Sequence, residues 1–255
     1  MKDIEELSKR ILSEVREQGL AVPPREEPVY ECPKCKDTEW IEVIKDGYSS
    51  MRQCECHVVK MARRLMERSG ITQEFRDKNF DNYDTRDNPQ LANAKNKAMR
   101  YCSSFAEIEH TRNNSIMFCG QVGAGKTHLG TSISSNLMSR NIAVIYMAYR
   151  NSVTRIKQKL TDESGYEREL SAYMQARVLY IDDLLKGRIT ESDVNIMYEI
   201  VNYRYMNNLP LIISTEKSLE ELLAFDEAIG SRLIEMCRGN IIQLMGKELN
   251  YRLFS

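Results

Sequence analysis

Apolar positions in this chain fall into a repeating pattern. Runs of strand length at 115–119, 142–148, 178–181, 209–214 and 240–244 alternate with stretches of helical spacing at 93–108, 128–140, 152–160, 166–175, 192–207, 219–224 and 227–236. In the stretch after the first run, Leu129, Ile133 and Leu137 recur one turn apart. Five buried strands alternating with helices predict an α/β fold, a five-stranded parallel sheet covered on both faces. About eleven residues follow the last strand, too few for a helical lid domain over a bound base. No internal repeat is evident.

Ahead of this body the pattern changes. Residues 3–18 put Ile4, Leu7, Ile11, Leu12 and Val15 on one helical face with charges opposite, and Gly19 ends the run. Pro23, Pro24 and Pro28 then make an extended connector. Such a helix either packs on its own domain or docks on a partner. Next, Cys32-Pro33-Lys34-Cys35 and Cys54-Glu55-Cys56 bracket a strand at 40–44 and an Asp46-Gly47 turn signal. A hairpin there brings four thiolates to one point, which suits structural Zn²⁺. The second pair is the shorter Cys-x-Cys, and His57 is an alternative to one thiolate. Unligated cysteines or a redox pair are the other readings, but no βαβ pattern accompanies the first pair. With so few core residues the segment is expected to need its metal to fold. Along 58–68, Lys60, Arg63, Arg64 and Arg68 form either a solvated face or a contact for nucleic acid or a helicase. Gly70 follows, and the domain boundary is expected near 69, with residues 1–69 in front and 70–255 as the body.

Composition narrows the classes. In 255 residues, 42% hydrophobic and 29% charged, the net charge is −1, so any nucleic-acid binding must come from local patches. No apolar run approaches the roughly twenty residues of a membrane span, and the charged N-terminus lacks a signal-peptide core. Seven cysteines, an odd count with four clustered early, read as a reducing, cytoplasmic compartment.

The chemistry sits in Gly120-Gln121-Val122-Gly123-Ala124-Gly125-Lys126-Thr127, which fits G-x-x-x-x-G-K-[ST] between a strand and a helix. Its glycines let the backbone curl so that N–H groups and a helix N-terminus face one anion. The stretch from Gly120 to His128 is thus the expected nucleoside-triphosphate site. Lys126 reaches the β- and γ-phosphates and the Thr127 hydroxyl ligates Mg²⁺. The run at 178–181 leads into Asp182-Asp183, an acidic pair at a strand end on the same face of the sheet. Asp182 is expected to hold Mg²⁺, and Asp183 to orient or deprotonate the attacking water.

Assembled in this way, the chain resembles bacterial helicase loaders of the DnaC/DnaI type, within the AAA+ ATPases. The likeness covers most of 72–255. Besides the two motifs it rests on Phe75 through Asn79-Phe80-Asp81-Asn82-Tyr83, on Asn202-Tyr203-Arg204-Tyr205 with Pro210-Leu211-Ile212-Ile213, and on Gly230-Ser231-Arg232-Leu233. The resemblance implies an AAA+ ATPase that loads a hexameric replicative DNA helicase onto single-stranded DNA, with ATP, Mg²⁺ and Zn²⁺ bound. It implies that Arg232 enters a neighbouring subunit's ATP site, hence head-to-tail assembly. It also implies a DNA contact at Tyr149, Arg150, Arg155 and Lys157, where a solvated helix face is the alternative. The cysteine-rich front end is similar to that of Gram-positive and phage loaders, and would hold the helicase. Two departures stand out: Ser214-Thr215-Glu216 where the family usually has an asparagine, and Asp183 where many AAA+ proteins have glutamate. Glu216 keeps open an ATP-gated adaptor with little hydrolysis, and a transposition helper ATPase shares the same core.

Overall fold

The computed structural model describes residues 29–45, 47–68 and 77–254. The helix expected at 3–18, its proline connector and Phe75 lie outside these residues. The described chain divides into two units, one ending at Cys54 and one starting at Glu55.

The first unit is a hairpin on a cysteine knuckle. β1 (Trp40–Lys45) and β2 (Tyr48–Gln53) pair antiparallel, from Trp40 opposite Gln53 to Lys45 opposite Tyr48. The Asp37 carboxylate accepts from the backbone N–H groups of Glu31 and Cys32. The Thr38 N–H donates to the Cys35 carbonyl at 3.1 Å. These bonds turn the first cysteine pair inward. Every residue of β2 is exposed.

The second unit holds α1 (Cys56–Arg68), α2 (Pro89–Ile108), β3 (Ile116–Gly120), α3 (Lys126–Ser139), β4 (Val144–Ala148), α4 (Tyr149–Lys157), α5 (Glu163–Met174), β5 (Val178–Leu184), α6 (Glu191–Met206), β6 (Leu211–Thr215), α7 (Leu219–Phe225), α8 (Glu227–Met236), β7 (Ile241–Leu244) and α9 (Tyr251–Phe254). The five strands are parallel in the order β4-β5-β6-β3-β7. Alternate residues feed two cores. Ile116, Phe118, Val178 and Tyr180 pack with α2 and α3 on one face, while Met117, Leu179 and Ile181 pack with α4 to α8 on the other. β3 lies inside the sheet between β6 and β7; the chain crosses from β3 to the far edge at β4, winds back to β6 and then passes to β7 on the other side, so a crevice opens at the β3 carboxyl end.

Several boundaries differ from expectation, for local reasons. α2 starts at Pro89 instead of 93 because the Asn88 side chain caps it, accepting from the Gln90 and Leu91 N–H groups at 2.8 and 3.3 Å. α4 starts directly on leaving β4, so Tyr149 is its first residue and turns into the core. α1, expected in front of the domain boundary, groups with the body, and its Val59 is buried.

Candidate nucleotide and metal sites

The loop from Gly120 to Gly125 leaves β3 and runs into α3. Gly120, Gly123 and Gly125 all take positive φ, at 107°, 73° and 79°. Gly125 allows no side chain on a second ground, since a Cβ would lie 2.8 Å from the Tyr83 ring. Among the described residues, the N–H groups of Val122, Gly123, Ala124 and Gly125 donate to no backbone carbonyl. They form the cradle that a polyphosphate requires. The Lys126 ammonium donates to the Gly120 and Gln121 carbonyls at 2.8 and 2.6 Å. Burial lowers its pKa, while Glu216 and Asp183 act in the opposite sense. Val122, Gly123, Gly125, Lys126 and Thr127 line a crevice of about 340 Å³ together with Lys78, Asp183, Lys186 and Glu216.

Asp182 is buried and receives four hydroxyls. Thr127 and Tyr180 donate to its Oδ1 at 2.9 and 2.8 Å, Ser214 donates to the same oxygen, and Tyr146 donates to Oδ2 at 2.8 Å. The Thr127 hydroxyl and the Asp182 carboxylate thus face one another, a hard oxygen pair that fits Mg²⁺. Burial, and then the Asp182 charge, push the Tyr146 and Tyr180 hydroxyls far above the usual tyrosine range, so both stay protonated donors. Gly130 makes room for this arrangement, because a Cβ there would stand 2.4 Å from the Tyr180 ring. The two tyrosines were not found by sequence reasoning. Their signal is placement on the α3 face of β4 and β5, with Tyr180 two positions before Asp182.

Asp183 stands on a register shift in β5, with φ at 55° in the left-handed region. Its N–H donates to the Ser214 hydroxyl at 2.9 Å, so Ser214 holds both acidic residues. Thr215 is spent on the Leu184 carbonyl, and Glu216 pairs with Lys186.

The lead-in segment and the C-terminal end close the other wall. His128 Nε2 lies 2.9 Å from both the Asn79 carbonyl and Asn82 Oδ1. The Tyr251 N–H donates to the Gly123 carbonyl at 3.0 Å, and the Arg86 guanidinium covers the Tyr251 ring at 4.1 Å. The chain after β7, expected only to be too short for a lid, therefore packs on the phosphate loop.

Two expectations do not assemble in the same way. Tyr149 is buried in the core, so its ring is not available to stack on a base. Lys157 pairs with Asp193 at 2.8 Å and Arg155 with Glu169 at 3.8 Å. Of the three cations expected to contact DNA, only Arg150 makes no ion pair among the described residues. Arg232 lies away from its own chain's crevice. Its guanidinium sits 5.5 and 5.4 Å from the Tyr198 and Tyr205 ring centroids, and donates to the Ala228 carbonyl at 2.7 Å.

The cysteines converge as their spacing requires. The sulfurs of Cys32, Cys35, Cys54 and Cys56 all lie within 4.8 Å of one another, with Cys32 and Cys54 at 3.8 Å. Four sulfurs at the usual Zn–S length stand about 3.8 Å apart on a tetrahedron, so the group fits zinc. His57 is not part of it.

With this geometry in hand, comparison with known proteins places the chain. The IstB-like ATP binding protein family matches residues 50–246. Phage-like element PBSX protein XkdC of Bacillus subtilis is 35% identical, covering 96% of each chain. Protein YqaM of the same organism is 39% identical over 87% of this chain and 71% of its own. The replicative helicase loader DnaC of Escherichia coli is 27% identical over 80% of both. Among solved structures, the DnaC helicase loader superposes with a TM-score of 0.59 at 21% identity, covering 68% of this chain and all of that one. The fold is that of AAA+ proteins. The chain belongs to the IstB-like ATP-binding family.

Proposed function

We propose that this member of the IstB-like ATP-binding family is an ATPase that loads a hexameric replicative helicase onto single-stranded DNA when replication starts. The observation that carries this reading is the convergence of Lys126, Thr127 and Asp183 on one crevice, with the buried Asp182 carboxylate on the Thr127 hydroxyl, in a chain that aligns with the DnaC loader over four-fifths of both. The loop N–H groups and Lys126 bind the phosphates, and Thr127 and Asp182 hold Mg²⁺, which neutralises phosphate charge when bound. Asp183 takes the proton of the attacking water. Arg232 acts on a neighbouring subunit's site, so the subunits assemble head to tail. Residues 1–69, in which zinc orders the cysteine hairpin, hold the helicase, and Arg150 is the residue left for a DNA contact. No described helix is long and apolar enough to cross a membrane, in keeping with a cytoplasmic site of action. Similarity to an insertion-sequence ATP-binding protein over 56% of the chain favours a second reading, a transposition helper.

Co-purification separates the two. A loader captures a hexameric helicase, and a transposition helper captures a transposase instead. In the same preparation Asp183→Asn should keep ATP binding and lose at least about tenfold in turnover, the usual scale for a lost general base. Wild-type turnover in that variant would remove Asp183 from the chemistry.

A further inference from the structure

Asp183 is already engaged in this structure. Its Oδ2 lies 2.8 Å from the Lys186 ammonium, which also reaches Glu216 Oε1 at 3.1 Å. The backbone builds this contact in. Asp183 and Leu185 both have positive φ, at 55° and 59°, and the Lys186 N–H closes the turn on the Asp183 carbonyl at 3.1 Å. Two non-glycine residues held in this region mark a turn that its surroundings over-determine. The side chain itself has room to move. Lys186 is 43% exposed, and with Glu216 and Val122 it lines both the nucleotide crevice and an adjoining cavity of about 480 Å³. Lys126 differs, being buried and tied to its own loop.

The charges set what an entering nucleotide meets. One partly exposed ammonium pairs with two carboxylates in the crevice that Lys126 and the loop glycines also line. The loop N–H groups cradle the α- and β-phosphates, and Lys126 reaches the β- and γ-phosphates. Asp183, Lys186 and Glu216 line the same crevice as Lys126, and in the ATPase reading Asp183 faces the water that attacks the γ-phosphorus, so the terminal phosphate is the one beside them. Glu216 has no hydrogen to donate to phosphate, but it holds a residue that does.

We propose that Lys186 reads the γ-phosphate: its ammonium occupies Asp183 until a terminal phosphate draws it away, which frees that carboxylate only when ATP is bound. The inference rests on the ATPase reading above. In the step that follows, the water oxygen bonds to the γ-phosphorus and the bridging P–O bond breaks. Its electron pair stays on ADP, and the water proton passes to Asp183. The second water proton stays on the phosphate; as phosphate leaves, Asp183 gives its proton up to solvent and Lys186 returns to the two carboxylates. Lys186 is thus a positioning residue as well as a sensor.

Calorimetric titration of the full chain with Mg²⁺ and either ADP or a non-hydrolysable ATP analogue tests this. Lys186→Met should weaken the analogue roughly ten- to a hundredfold, the scale of one charged hydrogen bond, and leave ADP binding unchanged. Lys186→Arg, which keeps the donor, should recover most of the preference. Adding Glu216→Gln to Lys186→Met should not restore it. Restoration would make Lys186 a mere neutraliser of carboxylates and overturn the proposal. So would an unchanged ratio of the two affinities, or an equal loss of both. Failure of the site reading beneath is distinct, because Lys126→Ala would then still bind both nucleotides.

Discussion

From Glu55 onward the chain buries apolar side chains on both faces of a sheet; among the described residues up to Cys54 it buries two cysteines and nothing else. Each fully buried Leu, Ile or Phe contributes roughly 1.5–3 kcal/mol, so the body holds its shape by apolar burial. A lone two-stranded hairpin is marginal in water, and the residues packed around this one are mostly polar or exposed. Its one organising centre is the sulfur cluster. The same chain thus uses two sources of order, and they should fail separately.

Metal removal is the sharpest way to break the comparison. Zinc contributes on the order of 10–16 kcal/mol in small metal-folded peptides, far more than this hairpin has from packing. Chelation, or Cys35→Ser, should collapse hydrogen-exchange protection across β1 and β2 while ATP binding and the thermal transition of the body stay in place. Elemental analysis of protein purified without chelator should find one zinc per chain. A body that unfolds together with the hairpin would show that the two sources of order are not independent.

The body has a polar keystone of its own, and removing it is the next largest effect. Arg204 is fully buried, and among the described residues it pairs with no carboxylate. Its Nη1 donates to the carbonyls of Tyr173, Met174 and Ala176 at 3.0, 3.2 and 2.8 Å, and Nη2 donates to Pro210 at 2.6 Å. The guanidinium therefore satisfies the open end of α5 and the approach to β6 at once. Arg204→Met keeps much of the volume and strands the Tyr173, Met174 and Ala176 carbonyls, while Pro210 keeps the Leu179 N–H. A loss of roughly 2–5 kcal/mol is expected in urea unfolding, with zinc content unchanged. A near-neutral result would mean that water replaces the donor.

These contrasts also explain what was legible beforehand. The five strands, the phosphate loop and the acidic pair are local patterns, and each signal lies within a few consecutive residues. The cysteine cluster was legible for the same reason. Arg204 was legible only as part of a family-like stretch, because nothing in Asn202-Tyr203-Arg204-Tyr205 reveals that four carbonyls from elsewhere meet there. The Tyr146 and Tyr180 hydroxyls on Asp182 depend on strand pairing across β4 and β5. Lys186 carries no local signal, because its second partner, Glu216, is distant in sequence. Tyr149 misled in the opposite direction. An aromatic beside several cations reads as a stacking platform, but α4 begins at that residue and rotates the ring inward.

The smallest effect sits where the lead-in segment meets the phosphate loop, and it has a pH signature. His128 Nε2 faces two acceptors, the Asn79 carbonyl and Asn82 Oδ1, so in the neutral ring this nitrogen carries the hydrogen. Burial lowers the His128 pKa, the bond to Asn79 opposes this, and Lys78 and Lys95 add to the lowering. With the folded value below the unfolded one, the unfolded chain takes up the proton first as pH falls. The contribution of neutral His128 is therefore full above about pH 6.5 and is lost as pH drops through the folded value. Asn79, Asp81 and Asn82 N–H groups close the turn that this ring anchors. Their exchange, corrected for its intrinsic pH dependence, should quicken on going from neutral to mildly acidic pH. The ring is only partly buried, so solvent screening keeps the change smaller than either effect above. His128→Gln retains a donor but cannot titrate, and should flatten the pH dependence at those three amides. A slope that persists in His128→Gln would remove His128 as its source, and would leave the lead-in segment anchored by Tyr83 and the Asn79–Asn82 turn alone.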